Sequence, residues 1–400
     1  MISYNKAYRL TLERLQTLES EVVPLVAAVD RITARDLIGQ VETPSVDISL
    51  KDGYAVHSAD ITDATEDAPL SLRLVGTVAA GGSWRKHLHL GEAVRILSGA
   101  PVPEGADAVV AEEFTQRFGD TIRVTNDAHP GRNILPQGSD VRRGELLVHK
   151  GVRLAPPTVG LLAAAGYQSL PVVRQLKVAI LATGDEVVAP GEPLQPGKLY
   201  ASNLVTLAAW CVRYGYAVET FVVRDDADLI RNKLVTCLQD YDVVLTSGGA
   251  WSGERDLVVR ILDELGWHKI YHRVRIGPGK AVAFGLFAEK PVFCLPGGPP
   301  SNHMAFLQLA LPGLQKKAGE QDVGLPVQKM RLAKALSGQL DWTQFVHGRL
   351  EQTAEIPWFH PLNPPSRLQM MSAAEAIVKI PEGQSMIPQG QMVEGQVFGS

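Results

Sequence analysis

The sequence predicts an α/β plus β chain: an elongated multidomain molecule with a three-layer α/β domain, an inserted β-rich domain and a C-terminal β-barrel-like domain. Three observations predict it. From 176 to about 318, apolar strand-like runs alternate with stretches of helical periodicity. From 45 to 140 the pattern changes to short alternating runs broken by Gly, Pro and Asp, and beyond 325 short strands and Pro/Gly turns return. Strands alternating with helices imply a parallel sheet covered on both faces, with ligands at its carboxyl ends.

The elements follow in order. Residues 3 to about 20 carry apolar positions at helical spacing behind a Ser3 cap. A short strand at 22–25 and a short helical return at 30–36 come next. The runs Leu70-Ser71-Leu72-Arg73-Leu74-Val75-Gly76 and Thr121-Ile122-Arg123-Val124 typify the β-rich stretch. Segment 146–151 and a helix from Pro156-Pro157 through Ala165 return to the style of the first segment, so that unit is discontinuous. The expected units are 1–44 with 141–175, an α+β linker domain; 45–140, inserted; 176–324, α/β; and 325–400, a small all-β domain. In the α/β unit the order is strand 177–181, a helix from near Asn203, strand 217–223, helix 227–238, strand 242–246 and a helix from Leu257.

Composition bounds the function. A chain of 400 residues, 45% apolar and 20% charged, can bury a sizeable core. A net charge of −4 provides no basic field for phosphates, which argues against a nucleic-acid partner. No signal pattern opens the chain and no apolar run reaches the ~18 residues of a membrane span, so a cytoplasmic protein without membrane contact is expected. Cys211, Cys237 and Cys294 lack CxxC spacing and sit in apolar company, as reduced core thiols do. His87 and His89 flank Leu88 beside Lys86 with no carboxylate or cysteine at a ligand spacing, and read as exposed loop or strand.

The chemistry-bearing loops fall at strand ends. Ser247-Gly248-Gly249 joins a buried strand to the helix from Leu257, a turn in which backbone N–H groups can approach an anion, and Asp256 is suited to a metal or a ligand hydroxyl. Thr183-Gly184-Asp185-Glu186 sets two carboxylates beyond a glycine turn, suited to Mg²⁺ or to ligand N–H groups; solvated turn acids are the alternative. Ser202-Asn203 opens a helix, where one of them suffices as a cap, and Arg224-Asp225-Asp226 reads as a solvated turn. Ile276-Gly277-Pro278-Gly279-Lys280 is a stiff turn holding one lysine suited to an oxyanion. Phe293-Cys294-Leu295-Pro296-Gly297-Gly298-Pro299-Pro300-Ser301-Asn302 runs from strand to a helix at about 302, with Ser301 placed for an anion or for capping. No Ser/His/Asp order, HExxH or Walker loop occurs. The collective reading is an anion-binding, Mg²⁺-assisted site that works by positioning and electrostatics.

The combination of Thr183-Gly184-Asp185-Glu186, Ser247-Gly248-Gly249 with Gly253-Glu254 and Asp256, Gly277-Pro278-Gly279-Lys280, and Leu295-Pro296-Gly297 with Pro299 and Ser301 resembles the MoeA/gephyrin E-domain family, the molybdopterin molybdenumtransferases. Asp52-Gly53-Tyr54-Ala55 and Ser98-Gly99-Ala100-Pro101 with Gly105-Ala106-Asp107-Ala108-Val109-Val110 are similar to further motifs of that family, so the resemblance spans the chain. It implies an L-shaped homodimer whose α/β part is a MogA-like molybdopterin-binding domain. The implied cleft lies between that domain and the inserted domain of the other subunit. The implied reaction inserts molybdate into the dithiolene of adenylylated molybdopterin, releasing AMP with Mg²⁺. By the resemblance Thr183, Gly184, Asn203, Ser247, Gly248, Gly249, Gly253, Pro296 and Gly297 bind the nucleotide and pterin, and Asp185, Glu186 and Asp256 hold the metal. Asp52 reaches in from the partner subunit, while Lys280, Ser301, Arg349 and Ser366 bear on molybdate or the pterin phosphate. The implied catalytic set is Asp52, Asp185, Glu186, Asp256 and Lys280, and apo-molybdoenzymes or other molybdenum cofactor proteins are implied partners.

Departures from the family pattern cluster near the chemistry. Gly277 stands where a second lysine is usual, Lys51 where a methionine is, Gly298 where an asparagine is, and Ala201 where an aspartate is. Trp251 enters the loop before Asp256, to stack on a ring or to fill space. Beside the transferase reading, two alternatives stay open: a divergent paralogue acting as a pterin-binding scaffold or chaperone for molybdoenzyme assembly, and an enzyme using tungstate.

Overall fold

The computed structural model describes residues 1–248, 257–363 and 366–398. At its centre is a six-stranded sheet in the order Ala217–Val223, Lys177–Thr183, Val243–Ser247, Lys290–Leu295, Ala283–Phe287 and His268–His272. The first four strands run parallel. The last two are antiparallel, so the expected parallel sheet ends in an antiparallel edge. Ala288 and Glu289, both at positive φ, make the two-residue turn that reverses the chain there. Nothing in an Ala-Glu pair announces such a turn.

Sheet and helices form three layers because alternate strand residues face opposite cores. Val178 and Ile180 pack with Leu204, Leu207 and Cys211 of the helix Ser202–Arg213. Ala179 and Leu181 pack with Ile230, Leu234 and Cys237 of Ala227–Asp240 and with Val258, Ile261 and Leu262 of Leu257–Leu265. A strand buried on both faces reads as a continuous apolar run, as 178–182 does. All three cysteines are buried and outside any disulfide, and burial pushes the thiol of Cys211 up to about 12 and that of Cys237 to about 11. They are core residues without thiolate chemistry.

Around this centre stand the other β units. Strands between residues 53 and 124 form a second six-stranded sheet. Strands on either side of it in sequence pair with each other, Ser20–Pro24 with Ser169–Val173 and Leu37–Ile38 with Leu146–Val148. The helical return expected at 30–36 is not formed. A single 3₁₀ turn, Leu25–Ala28, precedes it; Asp30 takes φ 62°, and Ile32 and Thr33 bridge to Arg153 and Val172. β-branched neighbours gain more from such pairing than from one turn of helix.

The C-terminal sheet is barrel-like but is neither all-β nor self-contained. Its order is Ile2–Ser3, Val274–Gly277, Thr343–Glu351, Trp358–Pro361, Val327–Leu332, Met392–Val397 and Ala376–Ile380, with Thr343–Glu351 also pairing with Ala376–Ile380. A helix, Arg367–Ala373, is capped by Ser366, whose Oγ accepts from the Gln369 N–H. Two of the seven strands come from the N-terminus and from the α/β region, so the sheet is spliced to the central layer. Among the described residues no helix is long and apolar enough to cross a membrane.

A nearly buried ion pair marks the junction into the central sheet. Arg174 donates two hydrogen bonds to Asp242, at 2.7 and 2.6 Å, and also bonds Glu19. Asp242 Oδ2 further accepts the Lys177 N–H at 2.9 Å. Burial pushes the Asp242 carboxyl up, but Arg174 and the Lys177 N–H together hold it below its ordinary value. Asp242→Ala leaves the guanidinium short of its partner and is expected to cost about 3 kcal/mol in urea unfolding. Because the native carboxyl has a depressed pKa, the wild type's advantage over the variant is full above about pH 4 and shrinks as pH falls below it.

Candidate active site

Parallel strands open a crevice where the strand order reverses. Here the strand after Lys177–Thr183 in sequence lies on one side of it and Val243–Ser247 on the other. A cavity of about 670 Å³ sits at these carboxyl ends. Of the residues expected from sequence, Thr183, Gly184, Glu186, Gly248, Lys280, Pro296, Gly297 and Ser301 line it. Its far wall includes Gln339, Trp342 and Gln344 of the C-terminal region.

Two glycines make the crevice possible. Gly184 has φ 143°, and a Cβ there would lie 2.6 Å from the Glu186 carboxylate. Gly248 has φ 97°, and a Cβ there would lie 2.7 Å from the Thr183 carbonyl oxygen. Both positions need a residue without a side chain. Their N–H groups, however, end the sheet ladders: Gly184 donates to the Val223 carbonyl and Gly248 to that of Leu295. These two N–H groups are therefore spent on the fold, and the rest of the loop after Gly248 lies outside the described residues. The helix Pro299–Ala305 begins with two prolines, so Ser301 alone among its first three residues carries an N–H. Among the described lining residues the positive charge is Lys280, exposed and 5.5 Å from the centre of the Trp342 ring.

Beneath the cavity Ser247 is a hub. Its Oγ accepts from Asn203 Nδ2 at 3.3 Å and from Asn302 Nδ2 at 3.0 Å. The same two amides donate to the Gly297 and Pro296 carbonyls, at 2.7 and 2.9 Å. The loop after Lys290–Leu295 is thus clamped to the strand Val243–Ser247. Neither Ser202 nor Asn203 caps its helix, whose N-cap is Ala201, and Ser301 does not cap its own, whose N-cap is Gly298. Asn302 is buried and had no sequence signal beyond its place after a strand–Pro–Gly turn.

The remaining expected residues lie elsewhere. Asp185 lines a neighbouring groove with Lys198, and its Oδ1 accepts the Asp225 N–H at 3.3 Å. Among the described residues, the carboxylates on the main cavity are Glu186 and Asp225. Asp225 was read as part of a solvated turn; its neighbour Asp226 caps the helix Ala227–Asp240. Asp52 lies beside the second sheet, with Oδ1 accepting the Ser98 N–H at 2.7 Å. Arg349 Nε donates to the Ala373 carbonyl at 3.2 Å, and Ser366 caps a helix. Gly249, Trp251, Gly253 and Asp256 lie outside the described residues.

Comparison with known proteins agrees with this geometry. Residues 2–166 match the MoeA N-terminal region (domain I and II), and residues 179–316 match a probable molybdopterin binding domain. The chain is 34% identical to a molybdopterin molybdenumtransferase of Haemophilus influenzae, over 86% of this chain and 85% of that one. It is 31% identical to molybdopterin molybdenumtransferase 2 of Mycobacterium tuberculosis, over 96% of both. The chain belongs to the MoeA family, the molybdopterin molybdenumtransferases. A solved molybdopterin biosynthesis MoeA protein from Pyrococcus horikoshii OT3 superposes along the full length of both chains with a TM-score of 0.83 at 28% identity.

In this MoeA-family chain the two walls of the cavity are held by a buried aromatic contact. His303, two residues past Ser301, stacks on His347 of the strand that carries Gln344, with ring centres 6.1 Å apart and planes 15° apart. Trp210 Nε1 donates to His303 Nε2 at 2.9 Å, which places the neutral ring's proton on Nδ1. Burial, and then the neighbouring His347, lower His303 to about 3; burial lowers His347 to about 4.

Two outcomes are expected. Asn302→Ala removes both clamp bonds and costs about 2 kcal/mol, read by urea unfolding. The unfolded chain takes up protons at these histidines from about pH 6.5, before the folded one does, so stability falls as pH drops from there toward 4. In thermal melts across that range His347→Phe shows the shallower fall.

Proposed function

We propose that the chain inserts molybdate into the dithiolene of adenylylated molybdopterin, with Mg²⁺-assisted release of AMP, to give Mo-molybdopterin. The observation that carries this reading is the cavity at the switch point, which Lys280, Ser301, Glu186 and Asp225 line together. A ligand with both a phosphate group and a ring fits such a lining: a cation and a hydroxyl for oxyanions, carboxylates for a metal, and Trp342 as an apolar face.

The donor set suits Mg²⁺. Among the described residues no group of three His, Cys, Asp or Glu could hold a metal. Mg²⁺ is commonly held by one or two carboxylates together with substrate phosphates and water; Glu186 and Asp225, which line the cavity, would hold it, with Asp256 as a further expected ligand. When bound, Mg²⁺ would neutralise charge on the departing phosphate. Lys280 binds and orients the oxyanion, and Ser301 donates a hydrogen bond to it. Glu186 holds the metal-facing side, and Trp342 limits water on the opposite wall.

Asp52 fits the reading in a second way. Asp52 belongs to another lobe of this chain, which agrees with a homodimer in which the partner's Asp52 completes the cleft. A cytoplasmic site of action, with apo-molybdoenzymes as recipients, follows from the same reading. The substitution at Gly277 favours a second reading, a pterin-binding scaffold that does not turn over. Use of tungstate is a third outcome of the same assay.

The assay combines the full chain, adenylylated molybdopterin, Mg²⁺ and molybdate, and follows AMP release and activation of an apo-molybdoenzyme. Both signals are expected, and tungstate should compete weakly. Glu186→Gln should lower kcat by about 100-fold with smaller change in pterin-nucleotide affinity. Tight pterin binding without AMP release in the wild type would leave the scaffold reading.

A further inference from the structure

The strand Val274–Gly277 leaves the α/β region and pairs in parallel with Thr343–Glu351, in the register Ile276 to Thr343 and Gly277 to Gln344. Residues paired on neighbouring strands share a face of the sheet. The Gln344 side chain therefore leans across the space that a side chain at 277 would take. A Cβ on Gly277 would lie 3.3 Å from Gln344 Cγ and 3.7 Å from its Nε2. Glycine at 277 and glutamine at 344 form one arrangement.

The carboxamide has a fixed orientation. Its Oε1 accepts the Gln339 backbone N–H at 2.6 Å. A backbone N–H can only donate, so the oxygen must be on that side and the NH₂ group must face the other way. That other side is the side of Gly277, since Nε2 lies 3.7 Å from where a Cβ on Gly277 would stand, and Gly277, Gln344 and Lys280 all line the cavity.

We propose that Gln344 is an oxyanion-binding residue of this cavity, a neutral donor pair set beside Lys280 where a second cation would otherwise stand. The assignment rests on the transferase reading for its ligand, molybdate, but not for its geometry. A neutral donor binds a divalent oxyanion less tightly than an ammonium does, and it discriminates by direction more than by charge. The cavity is thereby set for a tetrahedral oxyanion held by one charge and a directed amide. Gly277→Lys alone is expected to clash with Gln344 and gain nothing.

The test measures molybdate binding to the full chain by equilibrium dialysis, with molybdenum read by mass spectrometry, beside AMP release as the turnover readout. Gln344→Ala should weaken molybdate binding about tenfold, and raise the molybdate KM equally, with kcat and pterin-nucleotide affinity nearly unchanged. Gln344→Glu keeps the shape and the acceptor for Gln339, but replaces the donor with a charge that repels the oxyanion, and should weaken binding more than the alanine. Gln344→Ala combined with Gly277→Lys should restore binding to the wild-type level or above. A thermal melt of each variant checks that it is folded. If Gln344→Ala and Gln344→Glu bind molybdate as the wild type does, or if the wild type retains none, the assignment is overturned. If the wild type releases AMP while Gln344→Glu binds molybdate normally, the assignment falls and the transferase reading stands. If molybdate binding depends on Gln344 and no AMP is released, the assignment stands and the transferase reading falls.

Discussion

Four residues, Val274–Gly277, hold the two halves of the site together. In sequence this strand lies between two strands of the central sheet, His268–His272 and Ala283–Phe287, but it hydrogen-bonds into the C-terminal sheet, between Ile2–Ser3 and Thr343–Glu351. Backbone N–H and C=O groups in such a buried place must be paired, so the strand cannot move away from either neighbour without orphaning them. The loop it leads into, 277–280, carries Lys280, and the strand it pairs with carries Gln344. Both walls of the cavity are therefore tied to one ladder of hydrogen bonds. The buried stack of His303 on His347 and the C-terminal Phe398 beside His303 reinforce the same junction.

Within that frame the site is built with few charges. The backbone N–H groups of Gly184 and Gly248 are consumed in closing the sheet ladders, and two prolines remove donors from the helix Pro299–Ala305. One lysine, a serine, a threonine, two glutamines, a tryptophan and two carboxylates supply the polar side chains of the described lining. Two of them are held in place by their neighbours. Asn203 and Asn302 fix the loop that bears Ser301 through one shared serine, and Gln339 fixes the amide of Gln344. Such a site acts through orientation of a few groups in a defined space, in keeping with a reaction in which the protein supplies positioning while the ligand supplies the reactive atoms.

Much of this was legible along the chain. Periodicity located the strands Lys177–Thr183 and Ala217–Val223 and the helices that cover them, because buried parallel strands are written as unbroken apolar runs. The glycines at 184 and 248 marked the ligand end of the sheet because a crowded turn at positive φ excludes other residues. Misreadings came where a local pattern serves two uses. Residues 30–36 carry polar and apolar spacing compatible with one helical turn, yet long-range bridges to Arg153 and Val172 took them. Ser202-Asn203 and Ser301 satisfy a capping pattern, yet Asn203 serves another strand and Ser301 faces the cavity.

By itself the sequence determined the layer order, the strand ends that carry ligand loops, the buried thiols and the family to which the chain belongs, since each depends on local spacing or on motifs in fixed order. Tertiary structure alone decided which loop residues share a cavity. Asp185 and Glu186 are adjacent in sequence yet line different concavities, because the chain turns sharply at Gly184. Asp225, Asn302, Trp342 and Gln344 join the site from segments without a signature, because their roles arise from contacts between residues distant in the chain. The pairing of Gly277 with Gln344 is such a contact: a missing side chain on one strand acquires meaning only beside the residue that occupies its space.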